Sequence, residues 1–528
     1  MRAKIYVVAL VVALTCMLAV YKPAMAQSKE QEKDKAEEKQ PEKDAAKEVP
    51  KEVPKEESSV TDHSIKVGGQ TIAYKATIGS ILLKNDKDEP QALIYYTAYT
   101  RSDVKDPSQR ALAFLYNGGP GSASIWLHMG SFGPKRVVTA DAETTPPAPY
   151  KVEDNPNCLL DKTDLVFIDP VGTGFSRAVG KAQNKDFWGV DQDARSLASF
   201  VKIYVSKNQR WNSAKFLIGE SYGTFRNAAL ANLLQHEGLY LNGVVMMSSV
   251  WDLGTLTFYP GEDLAYILYV PSYAATAWYH KLVPDRPDNE SEFVDEAHKF
   301  AMGEYAEALL KGDTLTAADK SAVAKKLARF TGLSEEYLVR ANLRVKLPQF
   351  QQELQRSHGL TTGRLDSRFS GPMLDLNSER AEYDPQSTAI EGAFVAAFNA
   401  YIRDDLKFAQ DREYHVFAQF GDNQWDWKHK SGESDSFPSS PNVMEDLADA
   451  LVTNPKLQVE VEDGYYDLAT PFTEAEYGID HLGLPENLRM NIHHKYYQAG
   501  HMMYVRGEDA RALKANVAAF IEATARPQ

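Results

Sequence analysis

Two hydrophobic rhythms divide the chain. From about Ser64, apolar and polar positions alternate in stretches such as Gln70-Thr-Ile-Ala-Tyr-Lys75 and Ala92-Leu-Ile-Tyr-Tyr-Thr-Ala-Tyr99. A period of two predicts antiparallel strands with one covered face. The runs 111–116, 165–168, 216–218 and 243–248 are more continuously apolar, as in interior strands covered on both faces. Between them the apolar spacing widens to three or four. Ala194, Leu197, Phe200, Val201 and Tyr204 fall on one helical face, and Ala228, Ala229, Leu230, Leu233 and Leu234 on another. Alternating strands and helices predict an α/β fold, a mostly parallel central sheet flanked by helices.

The rhythm lapses after Ser248. Residues 252–410 read as mainly helical, with amphipathic segments at 293–310, 317–330, 334–344 and 389–408. They predict a helical cap inserted over the C-terminal ends of the strands, where α/β sites open. The strand–helix pattern resumes with a helix at 446–453, a strand at 457–461 and a last helix at 508–524. The expected organisation is a signal peptide (1–26), a charged linker (27–63), a core in two parts (64–251 and 411–528) and the cap between them. No internal repeat accounts for it.

The N-terminus changes the compartment. Arg2 and Lys4 precede an apolar run at 5–20, and Ala24-Met-Ala26 supplies the small residues of a cleavage site before Gln27. Export to the periplasm or the cell exterior is expected. An uncleaved anchor, or a lipid on Cys16, would instead tether the protein. Residues 28–59 are chiefly Lys, Glu, Asp, Gln, Ala and Pro, with Lys-Glu-Val-Pro repeated at 47–50 and 51–54. They hold too little apolar surface to offset the entropy of ordering. The formal charge is −15, and losing the three positive charges of residues 1–26 leaves −18. That balance argues against nucleic acid and against adhesion to an anionic membrane. Beyond the signal peptide only Cys158 remains, so no internal disulfide can form.

The candidate chemistry centres on Gly219-Glu220-Ser221-Tyr222-Gly223, placed after a predicted strand and before a predicted helix. Glycines on both sides permit a sharp turn that lifts the serine hydroxyl to a helix N-terminus. Such a serine needs a neighbouring base held by a carboxylate. Asp467 and His501 lie downstream in the order serine, aspartate, histidine; Asp463, Asp480, His493 and His494 compete with them. His493 and His494 precede Lys495-Tyr-Tyr and read as part of a strand. No His-Glu-x-x-His or cysteine cluster supports a metal site.

Five segments in register, Asn117-Gly-Gly-Pro-Gly-Ser122, Asp169-Pro-Val-Gly-Thr-Gly-Phe-Ser176, Gly219-Glu-Ser-Tyr-Gly223, Gly464-Tyr-Tyr-Asp467 and Gly500-His-Met502, resemble the serine carboxypeptidase family. The resemblance covers roughly 65 to 525 and implies an α/β-hydrolase fold with a helical cap and no cofactor. It singles out Ser221, Asp467 and His501 as the triad, with the amides of Gly119 and Tyr222 as oxyanion hole. It implies that Asn117, Gly118 and Glu220 bind the substrate's C-terminal carboxylate. Next to an anion Glu220 donates only when protonated, so that role requires a raised pKa. Three positions depart from the family: Leu115 stands for a tryptophan, Ser122 for a cysteine, and Ser131 for the glutamate that pairs with the one before the nucleophile. The expected protein is an exported serine carboxypeptidase acting on peptides with a free C-terminal carboxylate through an acyl-enzyme. An esterase, acyltransferase or aminopeptidase using the same triad is the alternative, and a non-catalytic peptide-binding envelope protein is a more distant one.

Overall fold

The computed structural model describes residues 53–421, 424–429 and 440–525, all within one compact unit spanning Lys51–Gln528. The signal peptide, Cys16 and most of the charged linker lie outside the described residues.

The chain opens with an antiparallel meander, β1 (Ser58–Val67), β2 (Gln70–Lys84) and β3 (Pro90–Arg101). Then come β4 (Ala111–Tyr116), the small pair β5 (Lys135–Val137) and β6 (Val152–Asp154), β7 (Thr163–Ile168), β8 (Arg177–Ala178), β9 (Lys215–Glu220) and β10 (Gly243–Met247). A short hairpin, β11 (Leu360–Thr362) and β12 (Ser370–Pro372), precedes β13 (Gln458–Gly464) and β14 (Ile492–Tyr497). The main sheet runs β1-β2-β3-β7-β4-β9-β10-β13-β14, with β8 paired to β3. From β7 to β14 every neighbouring pair is parallel.

Strand alternation explains how this sheet is covered. Ala111, Ala113 and Leu115 of β4 face one buried cluster, while Leu112, Phe114 and Tyr116 face another. The first face is packed by helices Pro385–Asp404 and Gly507–Thr524, through residues such as Phe394, Phe398, Val517 and Ile521. Helices Val190–Lys207, Tyr222–His236 and Met444–Thr453 pack the second. A third cluster joins the helices Leu264–Tyr279, Glu290–Phe300, Ala317–Thr331, Glu335–Arg340 and Leu347–Glu353, and takes in Leu468 beside Asp467.

The structure alters several expected boundaries. Ser58 to His63, read as linker, already form six of the ten residues of β1, where each residue pairs with β2. Their polar side chains hide a period-two pattern because one face is only half covered. The single helix expected at 293–310 is interrupted by a π turn, Ala301–Tyr305. The segment 334–344 is helical only over Glu335–Arg340, and Asn342 and Leu343 adopt positive φ. The last helix of the 252–410 segment, Pro385–Asp404, packs on the sheet rather than in the cap's own cluster.

Candidate active site

β9 drives Phe216, Leu217 and Ile218 into the sheet, then turns at Ser221 with φ 61° and ψ −130°. A non-glycine residue there is held in a sparsely populated conformation. Gly219 makes the turn possible, because a Cβ on it would lie 2.2 Å from the Gly223 carbonyl oxygen. The same closeness joins the turn to the 117–120 loop, where a Cβ on Gly118 would lie 2.4 Å from the Tyr222 nitrogen. Thr224 locks the first helical turn, its amide and hydroxyl donating to the Ser221 carbonyl at 2.7 and 2.8 Å.

Beyond β13 and β14 two loops bring Asp467 and His501 together. His501 Nδ1 lies 2.7 Å from Asp467 Oδ2. The Asp467 carboxylate also accepts from Ala469 N at 2.7 Å, Thr470 N at 3.0 Å and Thr470 Oγ1 at 2.9 Å. A carboxylate so satisfied keeps its orientation, and an Nδ1–H donated to it leaves Nε2 as the acceptor. Burial pulls the His501 pKa down, but the charge and hydrogen bond of Asp467 outweigh it and hold the group above its ordinary value. His501 and Ser221 line one pocket of about 330 Å³. Among the described residues no hydrogen bond joins them; a hydrogen bond between such a pair often tightens only when substrate binds.

The competing groups have other partners. Asp463 accepts from Ser249 N at 2.8 Å and sits 2.8 Å from His494 Nε2. His493 and His494 lie in β14, and Asp480 ends the helix Phe472–Asp480. None of the four lines the pocket of Ser221.

Opposite His501, Asn117 Nδ2 donates to Glu220 Oε1 at 2.7 Å, and Asn117 Oδ1 accepts from Leu127 N at 3.0 Å. Arg226 fixes the loop from behind, bonding the Asn117 carbonyl at 2.8 Å and Asp193 at 2.6 Å. Burial pushes Glu220 up to about 7; His501, Tyr504 and Asn117 restrain the rise and Asp467 adds to it. Glu220 Oε2 and the Tyr504 hydroxyl are both buried without a hydrogen bond of good geometry. Ser131 offers nothing to Glu220, since its hydroxyl donates to the Leu127 carbonyl at 2.7 Å.

The pocket brings together Asn117, Gly118, Gly119, Glu220, Ser221, Tyr222 and His501, with Asp467 fully buried behind His501. Its remaining wall is largely apolar, including Trp126, Leu253, Leu256, Ile390, Phe417 and Trp427. Trp425 and Trp427 cross the Tyr222 ring edge-on, and His429 anchors their segment between Asp191 at 2.7 Å and Asp446 at 2.6 Å. Sequence reading did not find Arg364, Phe417, Trp427 or Tyr504. The aromatic density of 417–427 was the one available signal; nothing local marks Arg364 or Tyr504. Among the described residues no group of three or more His, Cys, Asp or Glu is placed to hold a metal ion, and no helix is long and apolar enough to cross a membrane.

The chain is similar to Kex1Δp, a prohormone-processing carboxypeptidase from Saccharomyces cerevisiae, with 16% identity, a TM-score of 0.53, and coverage of 85% of this chain and 92% of that one. It is also similar, at 15% identity and a TM-score of 0.35, to proline iminopeptidase from Mycobacterium smegmatis, over 88% of this chain and 98% of that one. No curated protein matches the chain. The sequence profile of serine carboxypeptidases (peptidase S10) matches residues 70–515, so the chain belongs to the serine carboxypeptidase family.

Proposed function

We propose that the protein removes C-terminal residues from peptides through an acyl-enzyme on Ser221. The observation that carries this reading is a single pocket holding the strained Ser221, the Asp467-bound His501 and the Asn117–Glu220 pair. Ser221 Oγ attacks the last peptide carbonyl and passes its proton to His501 Nε2. The amides of Gly119 and Tyr222 receive the developing oxyanion; neither donates another turn or loop hydrogen bond among the described residues. The C–N bond breaks, His501 returns the proton to the leaving amine, and water then releases the acyl group by the reverse sequence. Asn117, Gly118 and Glu220 hold the terminal carboxylate. Export before this chemistry, with cleavage ahead of Gln27, and the division into core, cap and core belong to the same proposal.

Mass spectrometry of digests of free-acid and amidated peptides tests the reading. Stepwise loss from free acids alone is expected; equal cleavage of the amides would assign the triad to another acyl transfer. Ser221→Ala and His501→Ala should each lower turnover by about 10³-fold or more, and the double variant little further. Failure of a fluorophosphonate to label the folded protein would favour a non-catalytic role. N-terminal sequencing of the mature protein should begin at Gln27, and retention of residues 1–26 would overturn the export proposal.

A further inference from the structure

The β11–β12 hairpin ends in a tip, Arg364-Leu-Asp-Ser-Arg368, that grips both loops of the aspartate–histidine pair. The Arg364 carbonyl accepts from Leu468 N at 3.0 Å, and the Leu365 carbonyl accepts from His501 N at 2.6 Å. Ser367 N donates to the Tyr466 carbonyl at 2.9 Å. From the other side Asp384 Oδ2 receives the amides of Arg364 at 2.6 Å and Leu365 at 3.1 Å. The Arg364 backbone is therefore held from two directions.

Its side chain is not. The tip's second arginine, Arg368, is buried and paired with Asp366 at 2.6 Å and Asp141 at 3.0 Å. Arg364 is exposed on the wall of the Ser221 pocket, where no other lining residue is Lys or Arg. Among the described residues its guanidinium makes no ion pair or hydrogen bond, not even with Glu391 on the same wall. Its charge reaches His501, opposing the pull of Asp467.

Donors for an anion are scarce elsewhere in the pocket. Asn117 Nδ2 is engaged with Glu220, and Ser131 with Leu127. Glu220 donates only while protonated. A guanidinium carries five donors in a fixed fork and stays charged at every relevant pH, so it matches a carboxylate where these groups fall short.

We propose that Arg364 receives a carboxylate of the peptide substrate and selects for an anionic group at the scissile bond. This rests on the carboxypeptidase reading above. The carboxylate has two possible sources, the C-terminus itself and an acidic side chain flanking the bond.

The test compares kcat/KM of the wild type, Arg364→Gln and Arg364→Lys on benzyloxycarbonyl-blocked Phe-Leu, Phe-Glu and Glu-Leu, each divided by the rate on the neutral ethyl ester of blocked Phe. In Arg364→Gln the ratio should fall about 10- to 100-fold, the range for a lost hydrogen bond to a charged group, and Arg364→Lys should recover part of it. An equal fall on all three acids assigns the terminal carboxylate; a fall confined to the Glu-bearing peptides assigns the side chain. Ratios within about twofold of wild type on all three would overturn the inference. Wild-type cleavage of blocked Phe-Leu amide as fast as the acid would instead end the carboxypeptidase reading, and an effect confined to Glu-bearing peptides would survive it. Because the guanidinium makes no ion pair or hydrogen bond among the described residues, the substitutions remove no bond seen to support the fold.

Discussion

In the proposed reaction Glu220 meets a substrate anion, and it does so in a place where its own charge is costly. Burial pushes its pKa up to about 7, against about 4.3 for an ordinary glutamate. Below that value the carboxyl can donate to a bound carboxylate; above it the two repel. KM for a free-acid peptide should be flat on the acid side and rise from about pH 7 upward. Glu220→Gln, a donor at every pH, should flatten the profile, and an unchanged profile would remove Glu220 from carboxylate recognition. At this scale the sequence was most legible where backbone geometry demands particular residues. Gly219 precedes Ser221 because a side chain would not fit, and Gly118 is equally constrained; a Cβ on Gly223 would be only crowded, 3.0 Å from the Tyr116 carbonyl oxygen. Arg364 was invisible for the opposite reason: its side chain makes no hydrogen bond or ion pair among the described residues, so no local pattern accompanies it. The departure at Ser131 was legible. Its replacement beside Glu220, the phenol of Tyr504, was not, because that contact joins residues 284 positions apart.

Among the elements, the β11–β12 hairpin has an influence out of proportion to its size. A Cβ on Gly500 would lie 2.4 Å from the Leu365 carbonyl oxygen and 2.5 Å from Asp366 Cα. Both atoms belong to the backbone of the tip, which has no flexible end to yield there, so Gly500→Ala must push the His501 loop off the tip. Turnover should fall by about 10²-fold, as a displacement of about 1 Å in a catalytic group can cost, with the melting temperature also lowered. Wild-type turnover in Gly500→Ala would show that the tip does not position His501. The hairpin's three-residue strands are too short to register as a period in sequence. Helix Leu264–Tyr279 was not resolved as a separate element for a different reason. It is buried on nearly all sides, so its apolar residues trace no stripe, and Pro271 lies inside it. The interior strands were legible because both their faces are covered, which makes the whole run apolar.

At the scale of the molecule, buried acids tie stability to pH. Asp169, Glu220 and Glu474 are pushed by burial up to about 6, about 7 and about 8. Unfolded, the same carboxyls ionise near pH 4, so between there and pH 8 these three groups bind more protons in the folded chain than in the unfolded one. The stability they contribute is fully present below pH 4 and is lost as pH rises through 6 to 8. His429 acts in the same sense higher up: burial opposes its charge, but Asp191 and Asp446 raise its pKa to about 9. His128, pushed down to about 3 by burial, resists protonation and works against the fold in acid. The melting temperature should therefore fall between pH 6 and 8, less steeply in Glu474→Gln, and a rise across that interval would refute the account. The overall architecture was legible because strand and helix periods are properties of long segments, whereas the boundary at Ser58 and the packing of helix Pro385–Asp404 depend on what covers them. The strand order also sets a timetable for synthesis. Val245 of β10 pairs with Glu460 of β13, more than two hundred residues later, so the edge of β10 stays open while the cap is being made. Asp467 and His501 emerge later still. A growing chain thus carries Ser221 long before His501, and on the proposed mechanism hydrolytic power arrives only when folding is nearly complete.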